Sequence, residues 1–149
     1  MKEVINMKRF ICSLLILCIV PVLACANDYT DFNIYASMFG AEEIDFSTPQ
    51  TVNGKDVFVA GDGFVGLESK DGTTTSVSVF GKGDSFLIYS MAAISIIENK
   101  NTNFVTNCGQ LLSSYLMSQN GTEQKSMTKD GHFFMIQPYN NMFLFVIVR

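Results

Sequence analysis

Tight-turn sequences constrain this chain more than any other feature. Asn53-Gly54, Gly61-Asp62-Gly63 and Lys70-Asp71-Gly72 punctuate residues 51–80, and Lys129-Asp130-Gly131 recurs further on. Asn, Asp and Gly accept positive φ at low cost, which is what the shortest hairpin loops demand. Runs of strand character lie between the turns. They are Asp56–Ala60, Phe64–Glu68 with Val65 and Leu67 on one face, and Thr73–Phe80 alternating through Val77, Ser78 and Val79. Such an order predicts an antiparallel meander with short loops. The two Lys-Asp-Gly triplets share turn chemistry and do not mark an internal repeat.

The period changes after Gly81-Lys82-Gly83, where Asp84 or Ser85 is placed to cap a helix. Residues Phe86–Ile97 are apolar on nearly every face, broken only by Ser90 and Ser95. A membrane-crossing helix needs roughly 20 apolar residues, so this shorter run predicts a deeply buried core helix. A loop over Asn99–Asn103 follows. Phe104, Cys108, Leu111, Leu112, Tyr115 and Leu116 then form one stripe of a second helix, closed by Asn120-Gly121. His132–Gln137 reads as a strand, Pro138–Asn141 as a polar hairpin loop, and Met142–Val148 as a last strand. That last strand is apolar on both faces, which predicts a central place in the sheet, covered on both sides. Ahead of the meander, Phe32, Tyr35, Ala36 and Phe39 stand at helical spacing, with Asp28 or Asp31 to cap and Gly40 to stop. Phe32, Ile34, Ala36 and Met38 also alternate as in a strand, but the helix is the preferred reading. The predicted fold is α+β: a single domain with an antiparallel sheet of about five strands covered by two or three helices.

The chain's first 26 residues have a different character. Read from Met7, which can serve as the start, Lys8-Arg9 precedes an apolar run from Phe10 to Val20, ended by Pro21 and the small-residue stretch Leu23-Ala24-Cys25-Ala26. A basic start, a short apolar segment and an Ala-x-Ala site describe an export signal peptide. Cleavage after Ala26 gives a mature domain of residues 27–149. A second pattern overlaps the first. Val22-Leu23-Ala24-Cys25 resembles a bacterial lipobox, in which Cys25 becomes a lipidated first residue, although Leu23 stands where a smaller residue is usual. Both patterns predict export; they differ in whether the product is free in the periplasm or outside the cell, or lipid-anchored to the envelope.

Removing the signal changes the bulk chemistry. Three of the ten basic residues and one of the fourteen acidic ones leave with it, so 7 basic groups face 13 acidic ones and the net charge is near −6. A surface of that sign repels phosphate backbones, which argues against nucleic-acid binding. It also argues against adhesion to anionic lipid, so a membrane enters only through a lipidated Cys25. Cys12, Cys18 and Cys25 lie in or beside the signal, leaving Cys108 as the one thiol of the body, unable to form an intramolecular bridge. A 123-residue domain can bury a core without such a staple.

Candidate chemistry is sparse. Cys108 near the start of a helix and His132 on a following strand are the only pair suited to nucleophilic catalysis. Asn107-Cys108-Gly109 followed by Gly131-His132 resembles the pattern of papain-like cysteine peptidases, which implies a cysteine hydrolase of the cell envelope. The 24-residue separation is shorter than those folds use. Cys108 also lies on an apolar stripe, where a free cysteine packs as a small hydrophobe. One His and one Cys cannot close a zinc site, and Asp62 and Asp71 lack the alternating acidic loop that calcium requires. The acidic cluster Glu42, Glu43 and Asp45 suits a solvated loop. Gly61-Asp62-Gly63 and Gly81-Lys82-Gly83 lack the glycine spacing of phosphate loops. Asn120-Gly121-Thr122 is a glycosylation sequon. The expectation is a small exported binding domain without cofactor, acting on a protein or cell-envelope partner through a sheet face or end loops. Two alternatives stand beside it: the Cys108–His132 hydrolase, and a tethered lipoprotein or assembly component whose apolar strand Met142–Val148 pairs with another chain.

Overall fold

Every hairpin of the sheet turns on two residues. Val52 faces Lys55, Ala60 faces Gly63, Lys70 faces Thr73, Lys129 faces His132, and Tyr139 faces Met142. In three of these turns the paired positive φ of a type I′ loop is present: Asn53, Asp71 and Asp130 at 52°, followed by Gly54 at 78°, Gly72 at 74° and Gly131 at 80°. The structure is a computed structural model describing residues 28–98, 101–117 and 123–149. The signal segment with Cys25 and the Asn120 sequon lie outside those residues.

Seven strands result: β1 (Gln50–Val52), β2 (Lys55–Ala60), β3 (Gly63–Lys70), β4 (Thr73–Gly81), β5 (Lys125–Lys129), β6 (His132–Tyr139) and β7 (Met142–Val148). They form one antiparallel sheet in the order β1-β2-β3-β4-β7-β6-β5. Three helices accompany them: α1 (Asp28–Met38), α2 (Gly83–Ile97) and α3 (Thr102–Met117). The fold is a mixed α+β domain, as the sequence predicts, with two more strands than expected. The added strands are the sheet's edges. β1 has three residues, all exposed, and β5 reads Lys-Ser-Met-Thr-Lys, so neither carries an apolar alternation. Short or lysine-bearing edges discourage pairing with other chains.

Two meanders meet where β4 pairs with β7, and α2 and α3 carry the chain from β4 to the far edge at β5. The resulting core has clear rows. Phe58, Val65, Val79, Phe145 and Ile136 lie side by side across β2, β3, β4, β7 and β6, and all are buried. Above them α2 is buried without interruption from Tyr89 to Ser95, as its all-round apolar sequence requires. α1 packs on one flank, where Phe32 stacks on Tyr89 and Tyr29 meets Phe58 edge-on. α3 packs on the other, with Phe104 against Phe134 and Tyr115 against Phe143. Its buried side chains Phe104, Cys108, Leu112 and Tyr115 belong to the stripe read from the sequence.

Some local expectations need correction. Neither Asp84 nor Ser85 caps α2; the cap position is Lys82, which makes no side-chain cap bond, and the Ser85 hydroxyl donates to the Lys82 carbonyl at 3.3 Å. α3 starts inside the expected loop because Asn101 caps it, its side-chain oxygen accepting the Phe104 N–H at 3.0 Å. β6 runs through Pro138 and Tyr139, so the turn is Asn140-Asn141 alone. Pro138 is tolerated there because the partner strand β5 pairs no further along β6 than Ile136.

Candidate functional site

Among the described residues, the ring contacts between helices and sheet fall on a single face, and no helix lies on the other. Because strand side chains alternate, the register fixes what that open face presents. Val59, Phe64, Phe80, Leu144 and Gln137 stand next to one another in its first row. The second row holds Gly66, Ser78, Val146 and Met135. The third holds Glu68, Ser76, Val148 and Phe133. Val59 is 53% exposed, Phe133 39% and Tyr139 59%, and Phe80 and Tyr139 meet edge to face at 5.8 Å. Of the charged side chains on this face, Lys55 and Glu68 pair with each other at the rim, and Lys70 lies beyond them at the end of β3.

The sequence reading placed β7 in the centre of the sheet but covered on both sides. Its place is internal, between β4 and β6. Phe145 and Ile147 are buried under the helices, whereas Leu144, Val146 and Val148 look outward and are only partly buried. An internal strand has both edges paired already, so β7 cannot add itself to another chain's sheet. What it offers is half of a face.

The floor of that face is shaped by small residues. A Cβ on Gly66 would come within 2.8 Å of the Ser78 hydroxyl and 3.6 Å of Val57. Gly66, Ser78 and Ser76 are short beside Phe64 and Phe80, so the face steps down from the Phe64–Phe80 ridge, with the Ser78 hydroxyl and Val57 filling the space over Gly66.

Cys108 and His132 belong to the opposite layer. Cys108 is 1% exposed, and burial pushes its thiol up to about 12, with Lys129 acting to lower it and Asp130 to raise it. His132 is also buried. Its Nε2 faces the Glu98 carboxylate at 3.4 Å, its Nδ1 has no hydrogen-bond partner, and its ring lies 4.7 Å from that of Phe104. The imidazole is thus not hydrogen-bonded to the thiol, and α3 gives Cys108 the surroundings of a packed side chain.

That environment has a measurable consequence. A thiol whose pKa rises to about 12 from 9.0 carries far less thiolate at pH 8. A thiol reagent should label Cys108 in the folded domain roughly 10³-fold more slowly than in the unfolded chain. The linkage has a definite sign. The folded state holds its proton longer, so stability is intact below pH 9.0 and falls as pH rises from 9.0 towards about 12. Tyr89 and Tyr115, also raised by burial, act in the same direction. Denaturant titrations comparing the protein with Cys108→Ala isolate the cysteine's share as a shallower alkaline loss in the variant.

The other candidates resolve into local structure. Asp45 accepts the Ser47 N–H at 2.9 Å, and the Ser47 hydroxyl holds its carboxyl below the usual range. Between the acids, Ile44 is buried and its backbone N–H and carbonyl are both bonded by the Asn33 side chain, at 2.9 and 3.0 Å. The acidic cluster therefore rides on a loop pinned to α1. Gly81-Lys82-Gly83 is the β4–α2 junction and Gly61-Asp62 a hairpin turn. Among the described residues no three of His, Cys, Asp and Glu gather as metal ligands, and no helix is long and apolar enough to cross a membrane.

No protein-family model matches the chain, and comparison with curated proteins and with solved structures finds no match. The open face is therefore judged on its own chemistry.

Proposed function

We propose that this protein is an exported interaction domain that works without a cofactor and binds a macromolecule through the open face of its sheet. The observation carrying this reading is the contrast between the face and the rest of the chain. An acidic domain would ordinarily fill an outward sheet face with polar residues in alternation with its core positions. Here Val59, Phe64, Phe80, Leu144, Val146 and Phe133 stand on it, among Gly66, Ser76, Ser78 and Gln137. Contiguous apolar patches beyond a few hundred Å² are rare on monomers and mark interaction surfaces. The face is open and sheet-like, whereas small-molecule sites are concave and enclose most of their ligand, so a broad partner suits it better.

Export rests on the signal pattern of residues 1–26, with Cys25 as the alternative lipid anchor. The intact mass of the protein isolated from the cells that make it tests this. A chain starting at Asn27 or at an acylated Cys25 supports export, and one retaining Met1 or Met7 overturns it.

The binding reading is tested with a photo-crosslinking residue placed in turn at Val59 and Phe133 in those cells. Met38 and Met117, exposed on the helical layer, serve as controls. Crosslinked products from the two face positions and not from the controls are expected. Silence at Val59 and Phe133, or equal yields from the helical layer, would remove the face as the binding surface.

A further inference from the structure

We infer that the partner of the open face is a second copy of this chain, the two sheets packing face to face into a sandwich. The inference rests on the interaction-domain reading and names its partner. Size is the first argument. Seven strands about 4.8 Å apart, with three rows of outward residues, give a face of about 29 by 20 Å, roughly 600 Å² in projection. A corrugated surface exposes more area than its projection, which brings each protomer close to the about 800 Å² that a partner buries in a stable complex.

Charge is the second argument. A two-fold axis sets a patch against itself, so any uncompensated charge near the axis meets its own kind. The central rows contain no charged side chain, and Lys55 and Glu68 neutralise each other at the rim. A face built for a charged partner would display the complementary sign at its centre, and the central rows of this one display none. Homodimer interfaces are the apolar class, which fits.

Shape is the third. The short side chains of Gly66, Ser78 and Ser76 lie lower than the Phe64–Phe80 ridge beside them. Two sheets packed at about −30° and about 10 Å let the ridge of one copy lie over the lower rows of the other. The internal place of β7 removes it from edge-to-edge strand pairing, and the short or lysine-bearing edges discourage that route.

The protein purified from the cells that make it is examined by sedimentation at about 1 to 100 μM, a range that brackets the micromolar affinities common for interfaces of this size. A concentration-dependent rise to twice the protomer mass is expected. Val59→Glu, at an exposed position that should leave folding intact, and Leu144→Glu, at the centre of the first row, should each weaken association at least tenfold. Unfolding of Leu144→Glu is monitored by circular dichroism, and Val59→Glu decides the question if it occurs. Added salt should tighten the dimer, because it screens repulsion between two chains of net charge near −6 without weakening apolar contact.

A strict monomer at the highest concentration overturns the inference, as does a dimer indifferent to Val59→Glu or one that salt dissociates. A monomer whose Val59 and Phe133 crosslink to a different protein or to lipid overturns self-association but leaves the interaction domain standing. Absence of any crosslink from the face removes both.

Discussion

Replacing Phe145 by Ala should destabilise the domain by about 4 kcal/mol, while Val59→Thr should change stability by no more than about 0.5 kcal/mol. The two residues are alike in being large or branched apolar groups on paired strands, and they differ in which way they point. Phe145 is 1% exposed at the centre of the row that runs from Phe58 through Val65 and Val79 to Ile136. Truncation there leaves a void beneath α2 that close-packed neighbours fill only in part. Val59 is 53% exposed on the other face, where losing methyl contact leaves no cavity. With a urea slope of about 2 kcal/mol per molar, the Phe145→Ala midpoint falls by about 2 M. The Val59→Thr midpoint stays within about 0.3 M by the same conversion. Comparable losses at the two sites in dilute protein would mean that the second face is buried within the protomer.

The contrast between Phe145 and Val59 also marks how far the sequence could be read. Turn chemistry is a local property, so Asn53-Gly54, Lys70-Asp71-Gly72 and Lys129-Asp130-Gly131 located their hairpins directly. Period is local too. Phe104, Cys108, Leu112 and Tyr115 stand out because an amphipathic helix repeats its buried side every turn or so. The edges β1 and β5 were illegible for the opposite reason. Gln50–Val52 is exposed throughout, and Lys125–Lys129 puts lysine at inward positions opposite Ile136 and His132, so pairing rather than burial defines them.

The open face was harder to see because its cause is not local. Met142–Val148 is apolar at both parities, and inspection of one strand cannot distinguish a strand covered twice from one covered once with a partner still to come. The supply of helices distinguishes them. Three helices packed 8–10 Å apart span about 24–30 Å, nearly the about 29 Å width of a seven-stranded sheet, and so clothe one face only. Counting strands correctly was the missing step, since an expected five-stranded sheet would have left helix surface to spare. Cys108 and His132 drew notice because those residue types carry chemistry. Their surroundings, a buried thiol on α3 and an imidazole wedged between Phe104 and Glu98, depend on contacts between elements distant in the chain.

Gly63→Ala should lower stability by about 3 kcal/mol although it adds a single methyl group. The reason is where β3 and β4 cross at the end of their pairing. A Cβ on Gly63 would sit against the Phe80 carbonyl oxygen, 2.7 Å from the Phe80 carbonyl carbon and 2.8 Å from the Gly81 Cα. Those are backbone atoms, so no rotamer change can clear them, and the strands must separate. Gly72 supplies the control. It has φ of 74° with nothing within 4 Å of an added Cβ, so Gly72→Ala meets only the left-handed backbone penalty of about 1 kcal/mol. For a domain of this size the midpoint should fall by about 12 °C for Gly63→Ala and about 4 °C for Gly72→Ala. Equal shifts would deny the close approach of the two strands. The effect reaches the proposed binding surface as well, since Phe64 and Phe80 are paired immediately beside Gly63 and form the ridge of the open face. Parting β3 from β4 distorts the ridge that the proposed dimer would bury. Gly63→Ala should therefore weaken self-association even at temperatures where the protomer remains folded, while Gly72→Ala, at the far end of the same hairpin, should leave it unchanged.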